Sequence, residues 1–235
     1  MPNPSVNPLI LAQGLTRIYP LGSTEVVGVE NIDLRIDAGE LVVLKGNSGS
    51  GKSTLLALLG GLDLPTGGAL RVAGQDLQKA TPKELNEYRR KVVGMIFQTF
   101  NLLPTLTVME NACLPALLAG RPYEEVEKKA LEWLGWLHLT SRLSHYPGQL
   151  SGGEMQRTAI VRALINEPAI ILADEPTGNL DSRNGQAVIE LLAELNRRFG
   201  RTVILATHST LADHCATLFL CLRDGRITEA RGCDA

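Results

Sequence analysis

A glycine-rich run in the first quarter of the chain has the residue types that bind phosphate. It fills the pattern G-x-x-x-x-G-K-[ST] and reads Gly46, Asn47, Ser48, Gly49, Ser50, Gly51, Lys52 and Ser53, with Thr54 next. Glycines let such a loop curl so that backbone N–H groups and the start of the next helix point at phosphate oxygens. Lys52 supplies charge to the β- and γ-phosphates, and the Ser53 hydroxyl reaches Mg²⁺. The run predicts a nucleotide-binding loop.

Two acidic residues follow a buried strand later in the chain. The apolar run 169–173 ends at Asp174 and Glu175. Because open α/β sheets bind ligands at the carboxyl ends of their strands, we expect both carboxylates at the phosphate site. Asp174 suits Mg²⁺, and Glu175 suits orienting and deprotonating an attacking water. The pair predicts Mg²⁺-dependent hydrolysis.

A second anion-binding helix start is indicated at 150–156. Ser151 is a typical N-cap, and Gly152 and Gly153 follow it, so the first turn exposes free N–H groups. In isolation the same pattern more often marks an ordinary capped helix. Together with one phosphate loop, it suggests a site built from two halves.

Alternating strands and helices position these residues. Apolar runs of strand length occur at 41–44, 92–97, 170–173, 202–206 and 218–222, and helical patterns at 52–59, 152–165 and 184–199. This order predicts an α/β fold whose mainly parallel sheet is covered on both faces. Loose alternation at 9–18 and 29–36 predicts an antiparallel pair. The segment 108–150 is helical, with an amphipathic helix opening at 121–122, and predicts an inserted helical lobe.

Composition and charge exclude several classes of protein. The 235 residues are 44% hydrophobic and 20% charged, which favours a packed core over a disordered chain. The net charge of −2 gives no basic excess, so no nucleic acid is expected as a partner. No apolar run approaches the ~20 residues that cross a bilayer, so this chain is not expected to span a membrane.

The cysteines and the first residues bear on location. Residues 1–7 have neither the charged nor the apolar region of a signal peptide. Cys113, Cys215, Cys221 and Cys233 form no C-x-x-C pair and suit neither a disulfide framework nor a zinc site. These features predict a reducing, cytoplasmic location.

The motifs stand in the order found in the ATP-binding subunits of ABC transporters, and nearly the whole chain resembles that family. Gln98 after a strand, the run 178–181 and His208 complete the match. Three further runs, 59–66, 101–104 and 173–181, resemble the lipoprotein-releasing, macrolide-exporter and cell-division branch.

The resemblance implies the fold of a P-loop NTPase of the ABC type. Its core has a mainly parallel sheet, an N-terminal antiparallel β subdomain and an inserted α-helical subdomain. It implies one domain over 1–235, in which 1–97 and 157–235 form the catalytic core. The helical subdomain with the signature run is then 98–156.

The resemblance also assigns roles that spacing alone leaves open. Gln98 would touch Mg²⁺ or the attacking water, and His208 would contact the γ-phosphate. Tyr19 would stack on adenine, although a strand tyrosine also packs well on a sheet face. Asp181 would lie across a dimer interface. Glu154 departs from the commoner signature glutamine.

The implied function is an ATPase that needs ATP and Mg²⁺ and acts as a homodimer in the ATP state. Each ATP would be bound by one phosphate loop and by the other copy's Ser151 and Gly153. The partner would be a separate transmembrane permease that docks on 97–106 and on exposed parts of 108–119. The chain would be peripheral on the cytoplasmic face of the inner membrane and power export or extraction of a lipoprotein or drug.

Two alternatives stay open at this point. One is a soluble ABC ATPase that acts on ribosomes or DNA, which the single cassette, the lack of a heptad tract and the net charge disfavour. The other is a cell-division ATPase of the same branch. Cargo contacts belong to the permease, so the cargo is not encoded here.

Overall fold

Strands and helices alternate over most of residues 8–228, the part of the chain that the computed structural model describes. The strands are β1 (Ile10–Leu21), β2 (Thr24–Ile36), β3 (Leu41–Lys45), β4 (Gly67–Val72), β5 (Gln75–Asp76), β6 (Val93–Ile96), β7 (Ile170–Asp174), β8 (Thr202–Ala206), β9 (Leu218–Arg223) and β10 (Arg226–Thr228). The α-helices are α1 (Lys52–Leu59), α2 (Pro82–Lys91), α3 (Val108–Leu118), α4 (Tyr123–Trp136), α5 (Gly152–Leu164) and α6 (Ser182–Phe199). Every strand and helix predicted from the sequence is present.

A six-stranded sheet of the described residues carries the phosphate site. Its order is β10-β9-β3-β8-β7-β6, and all neighbours are parallel except β10 and β9. The carboxyl ends of β3, β6, β7 and β8 therefore lie at one edge, where the loops that follow them meet. This confirms the predicted α/β fold with its mainly parallel sheet.

Separate cores cover the two faces of this sheet. Leu41 and Val43 of β3 belong to a cluster formed with α3, α4, α5 and α6. Val42 and Leu44 belong to a second cluster, formed with α1, α2 and the antiparallel strands. Because successive strand residues point to opposite faces, a continuous apolar run fills both cores.

A smaller antiparallel sheet packs against the second core. Its order is β2-β1-β4-β5, and Ile10 pairs with both Ile36 and Val72. The predicted antiparallel pair is confirmed as β1 and β2, and β4 and β5 extend it beyond the prediction. The sheet places Tyr19 of β1 opposite Val26 of β2.

The inserted helices α3, α4 and α5 lie between β6 and β7 in the chain. A fully buried Asn111 fixes the loop before α3, because its side-chain amide binds the backbone of Leu103, Leu106 and Thr107. A domain boundary at residue 156 falls inside α5, which also packs on β6. The division into 98–156 and a surrounding core stays a prediction.

The cysteines within residues 8–228 differ in their state. Cys113 is buried and Cys215 is half-buried, and both are free thiols, whereas Cys221 is disulfide-bonded. A single bonded cysteine is not a disulfide framework, and the reducing, cytoplasmic location stays a prediction.

The described residues exclude 1–7 and 229–235. Cys233 and the tail 230–235, which the sequence predicts to be a frayed end, therefore lie outside them. Among residues 8–228, no helix is both long and apolar enough to cross a membrane.

Candidate nucleotide site

The loop between β3 and α1 has a backbone that only glycine fits. Gly46 and Gly51 have φ of 155° and 103°. A Cβ on Gly46 would lie 2.4 Å from the Leu222 carbonyl oxygen, and one on Gly51 would lie 2.3 Å from the Gly28 carbonyl oxygen. Both contacts are with backbone, which cannot move aside easily. The spacing of the motif glycines is therefore a packing requirement of this fold.

An open cavity of ≈ 730 Å³ runs along this loop. Its lining residues are Tyr19, Val26, Val27, Gly28, Asn47, Ser48, Gly49, Gly51, Lys52, Ser53, Thr54, Gln98, Glu175 and His208. Candidate residues from five distant segments thus meet at one place. Two residues of the motif do not line the cavity: Gly46, which shapes the loop, and Ser50, which is buried.

Lys52 is held at the centre of the loop. Its Nζ donates to the carbonyl oxygens of Gly46 and Asn47, at 2.7 and 3.1 Å, and lies 3.8 Å from Glu175 Oε1. The side chain is only 8% exposed. The ammonium group is therefore fixed beside the carboxylate that follows β7.

Asp174 and Ser53 offer oxygen ligands to a metal ion. The Ser53 side chain is a neighbour of Asp174, whose Oδ1 is buried without a hydrogen-bond partner among residues 8–228. Burial raises the pKa of Asp174, and the nearby charge of Glu175 adds to this. Within 8–228, no group of three or more His, Cys, Asp or Glu side chains is arranged to hold a metal ion by itself. Few protein oxygens and an unpartnered carboxylate oxygen fit Mg²⁺, which is often completed by waters and phosphates.

Glu175 and His208 form the second part of the carboxylate edge. His208 Nδ1 lies 3.0 Å from Glu175 Oε2, at an ion-pair distance but without the alignment of a hydrogen bond. Glu175 has φ of 44°, and its N–H donates to the Ala206 carbonyl at 2.9 Å. A left-handed backbone at a non-glycine residue costs energy and is common at functional sites. The carboxylate is thus placed by the fold, while the histidine is 72% exposed.

Gln98 is locked to the segment that follows β7. Asn179 Nδ2 donates to the Gln98 carbonyl oxygen at 2.9 Å. Gly178 lies so close that a Cβ there would be 2.6 Å from Gln98 Nε2. Gln98 is therefore fixed against Gly178 and Asn179, which follow the carboxylate edge in the chain.

Tyr19 is fixed at the cavity wall by two residues that sequence reasoning missed. The Arg17 guanidinium lies 4.6 Å from the centre of the Tyr19 ring, and the Tyr19 hydroxyl donates to Asp63 Oδ2 at 2.7 Å. Arg17 is also paired with Asp63 at 2.8 Å. A rigid aromatic ring suits stacking on a base.

Ser151 and Gly153 are not among the residues that line this cavity. Ser151 caps α5 in a reciprocal box with Glu154, and a Cβ on Gly153 would lie 2.6 Å from Asn184 Oδ1 of α6. Asp181 caps α6 by accepting from the Asn184 N–H at 3.0 Å, which lowers the pKa of Asp181. The starts of α5 and α6 are therefore packed against each other, and anion binding there stays a prediction.

Comparisons with known proteins agree with this geometry. The family model described as ABC transporter matches residues 29–178. A macrolide export ATP-binding/permease protein MacB of Sodalis glossinidius is 47% identical over 220 residues, which cover 94% of this chain and 34% of that protein. An uncharacterized ABC transporter ATP-binding protein of Thermotoga maritima is 44% identical over 218 residues, 92% of this chain and 93% of that protein.

A solved structure gives the same result at the level of the fold. The dimeric ATP-binding cassette MJ0796, in a post-hydrolysis state bound to ADP and Pi, is 38% identical with a TM-score of 0.88. The match covers 96% of this chain and 99% of that chain. Against the MacB relatives, the chain spans about a third of their length. The chain belongs to the ABC transporter family, as an ATPase domain of that family.

Proposed function

We propose that two copies of this chain sandwich two ATP molecules and hydrolyse them with Mg²⁺. Each ATP is bound by the phosphate loop of one copy and by the N–H groups of Ser151 and Gly153 of the other. One observation carries the proposal: the capped helix start at Ser151, which we predict to bind an anion, does not line the cavity at the phosphate loop of its own chain. The dimeric state of the MJ0796 cassette supports the same assembly.

The residues around the cavity divide the chemistry among them. Glu175 accepts a proton from the water that attacks the γ-phosphorus. A new oxygen–phosphorus bond forms, and the bond to the ADP oxygen breaks. His208 contacts the γ-phosphate from the same edge, and Tyr19 stacks on adenine. ATP contacts both copies and so holds the dimer closed. Hydrolysis removes the ATP, and the dimer then opens.

Ser53, Gln98 and Asp174 are the residues that would hold Mg²⁺ in this reaction. The metal neutralises charge on the β- and γ-phosphate oxygens when bound. The unpartnered Oδ1 of Asp174 and the Ser53 hydroxyl are the observations that favour these ligands.

Lys52→Ala is expected to weaken ATP binding severely and leave the fold intact. The variant removes the fixed cation of the loop, while Glu175 keeps His208 as a neighbour. Calorimetry of the purified variant with ATP measures the effect, and thermal unfolding checks the fold. The exposed Lys83 supplies a matched control, since Lys83→Ala should bind as the parent chain does. Unchanged ATP affinity in Lys52→Ala contradicts the assignment.

We propose further that the ATPase cycle drives a membrane permease on the cytoplasmic face of the inner membrane, in export or extraction. The MacB relatives are named ATP-binding/permease proteins, and this chain covers 34% of the first of them.

A groove of ≈ 380 Å³ between the core and the inserted helices supplies a docking surface. It is lined by Gly60, Leu62, Arg89, Arg90, Val93, Gly94, Met95, Phe97, Asn101, Pro115, Arg162, Ala163 and Asn166. Apolar and basic side chains together fit an amphipathic segment with an acidic residue.

Arg90→Glu is expected to separate ATP hydrolysis from membrane association. Arg90 lines the groove and is partly exposed, so reversing its charge should repel an acidic partner segment. Co-purification of a tagged chain from solubilised membranes should fall, while ATP hydrolysis by the isolated chain is unchanged. Lys128→Glu on α4 makes the same charge change outside the groove and should have no effect. Recovery of the parent chain only with ribosomes or nucleoid would contradict the permease proposal.

A further inference from the structure

The first turn of α5 carries a negative charge that the proposed function does not explain. Glu154 stands where the commoner signature has glutamine. Its Oε2 accepts from the backbone N–H and from the hydroxyl of Ser151, both at 2.8 Å. Its Oε1 accepts from Arg142 Nε, also at 2.8 Å. The carboxylate is therefore turned back onto the residue that begins the helix.

Glu154 stays ionised throughout the physiological range. The hydrogen bond from Arg142, followed by the one from the Ser151 N–H, lowers the pKa of Glu154 to about 2. The side chain is 18% exposed, so solvent screens its charge only in part. A full negative charge thus lies one turn into a helix start that the proposed function assigns to a γ-phosphate.

Such a charge opposes the approach of phosphate. Like charges close together in a partly desolvated interface repel strongly, and closing a dimer removes more of the screening water. A neutral glutamine at the same position would carry no such penalty. A chain with glutamate therefore needs a cation that is already in place.

Arg142 is that cation. It lies in the short helical turn 140–142, before α5, and its Nε contacts the Glu154 carboxylate. A second titratable group, His145, lies near it, with its Nε2 3.5 Å from Arg142 Nη1. The arginine neutralises the carboxylate charge, and the hydrogen bond keeps the Glu154 side chain in this one rotamer.

We infer that Arg142 is a positioning residue: it neutralises Glu154 so that Ser151 and Gly153 can receive the γ-phosphate of the partner's ATP. The inference rests on the proposed sandwich dimer. Because Arg142 acts through Glu154, its removal should matter only while residue 154 is charged.

A charge cycle in the Glu175→Gln background tests this. The fraction of dimer is measured by gel filtration in Mg-ATP, and ATP affinity is measured by calorimetry. Arg142→Gln should reduce the dimer fraction by about 10-fold at fixed protein concentration, with ATP affinity of the monomer unchanged. Glu154→Gln should dimerise at least as well as its parent. Arg142→Gln with Glu154→Gln should restore the dimer.

The same variants with Glu175 intact give a kinetic readout. Arg142→Gln should lower kcat, and adding Glu154→Gln should recover it. The exposed pair of Arg198 and Glu194 on α6 supplies a control, because Arg198→Gln removes a comparable ion pair away from α5.

Three results would overturn the inference. The first is that Arg142→Gln dimerises like its parent. The second is that the double variant stays as defective as Arg142→Gln, which would assign Arg142 to the folding of the turn alone. If the Glu175→Gln parent itself forms no dimer with Mg-ATP, the sandwich proposal fails, and the inference fails with it. A parent that dimerises, with a double variant that does not, rejects only the role of Arg142.

Discussion

Glu175→Gln is expected to lower ATP hydrolysis by roughly 10²-fold or more, the usual contribution of a positioned base. Glutamine keeps the size of the side chain and much of its hydrogen bonding, but it cannot accept the proton of the attacking water. The left-handed backbone at residue 175 and the bond of its N–H to Ala206 do not depend on the carboxylate. The loss should therefore fall on kcat, while ATP affinity is retained.

The same variant should trap the dimer. Because ATP is bound and not consumed, the closed sandwich accumulates, and gel filtration in Mg-ATP should shift from monomer to dimer. The substitution also removes the repulsion between the Glu175 carboxylate and phosphate, because a neutral amide replaces the carboxylate that lies 3.8 Å from Lys52 Nζ. This change favours the ATP state further.

Asp174→Asn is the contrasting control. It keeps the shape of the β7 end but removes the charge that faces Ser53, so it should impair Mg²⁺-dependent binding and give no stable dimer. Hydrolysis by Glu175→Gln near the parent rate contradicts the assignment of Glu175 as base. So does ATP binding without dimerisation. A shared arrangement of Gln98 and His208 would then have to activate the water.

Local patterns predicted the phosphate loop and the carboxylate edge because their physics is local. Gly46 and Gly51 are required by close backbone contacts, and a strand that ends in Asp174 and Glu175 places both at the edge of the sheet. Because the loops that follow parallel strands meet at one edge of the sheet, the phosphate loop and His208 are expected at the same place, even though no distance between them is known from the sequence.

The strands β4, β5 and β10 and the helix α2 were not predicted from the sequence. A signal for α2 was present, since Thr81 and Glu84 form a capping box and Pro82 begins the helix. The strands β4 and β5 are short, and β4 begins with Gly67 and Gly68, so neither has a clear alternation of apolar and polar residues.

Contacts between distant segments could not be predicted from one sequence. The Tyr19 hydroxyl binds Asp63, which lies 44 residues away in the chain, and the run 59–66 that contains Asp63 gives no signal for this contact. The ion pair of Arg142 with Glu154 joins a short helical turn to α5, and only the orientation of the turn makes it possible. Such pairs depend on tertiary packing, whereas motif spacing reports on the backbone of one segment.

Gly153→Asp is expected to abolish hydrolysis while ATP binding to the monomer persists. Under the sandwich proposal, the new carboxylate lies where the partner's γ-phosphate is received, and like charges at a desolvated contact repel. Gly153 does not line the cavity at the phosphate loop, so the loop should bind ATP as before. Calorimetry measures binding, and phosphate release measures hydrolysis.

Size and charge must be separated at this position. A Cβ on Gly153 would lie 2.6 Å from Asn184 Oδ1, and Asn184 Nδ2 also donates to Asp181 Oδ2 at 2.6 Å. Any side chain at residue 153 therefore displaces the Asn184 amide and disturbs the cap of α6. Gly153→Asn has nearly the same shape as Gly153→Asp without its charge, so the difference between these two variants reports electrostatics alone. We expect Gly153→Asn to keep measurable hydrolysis and Gly153→Asp to have none. If Gly153→Asp also loses ATP binding as a monomer, the helix start at Ser151 serves the site of its own chain, and the dimer model is wrong.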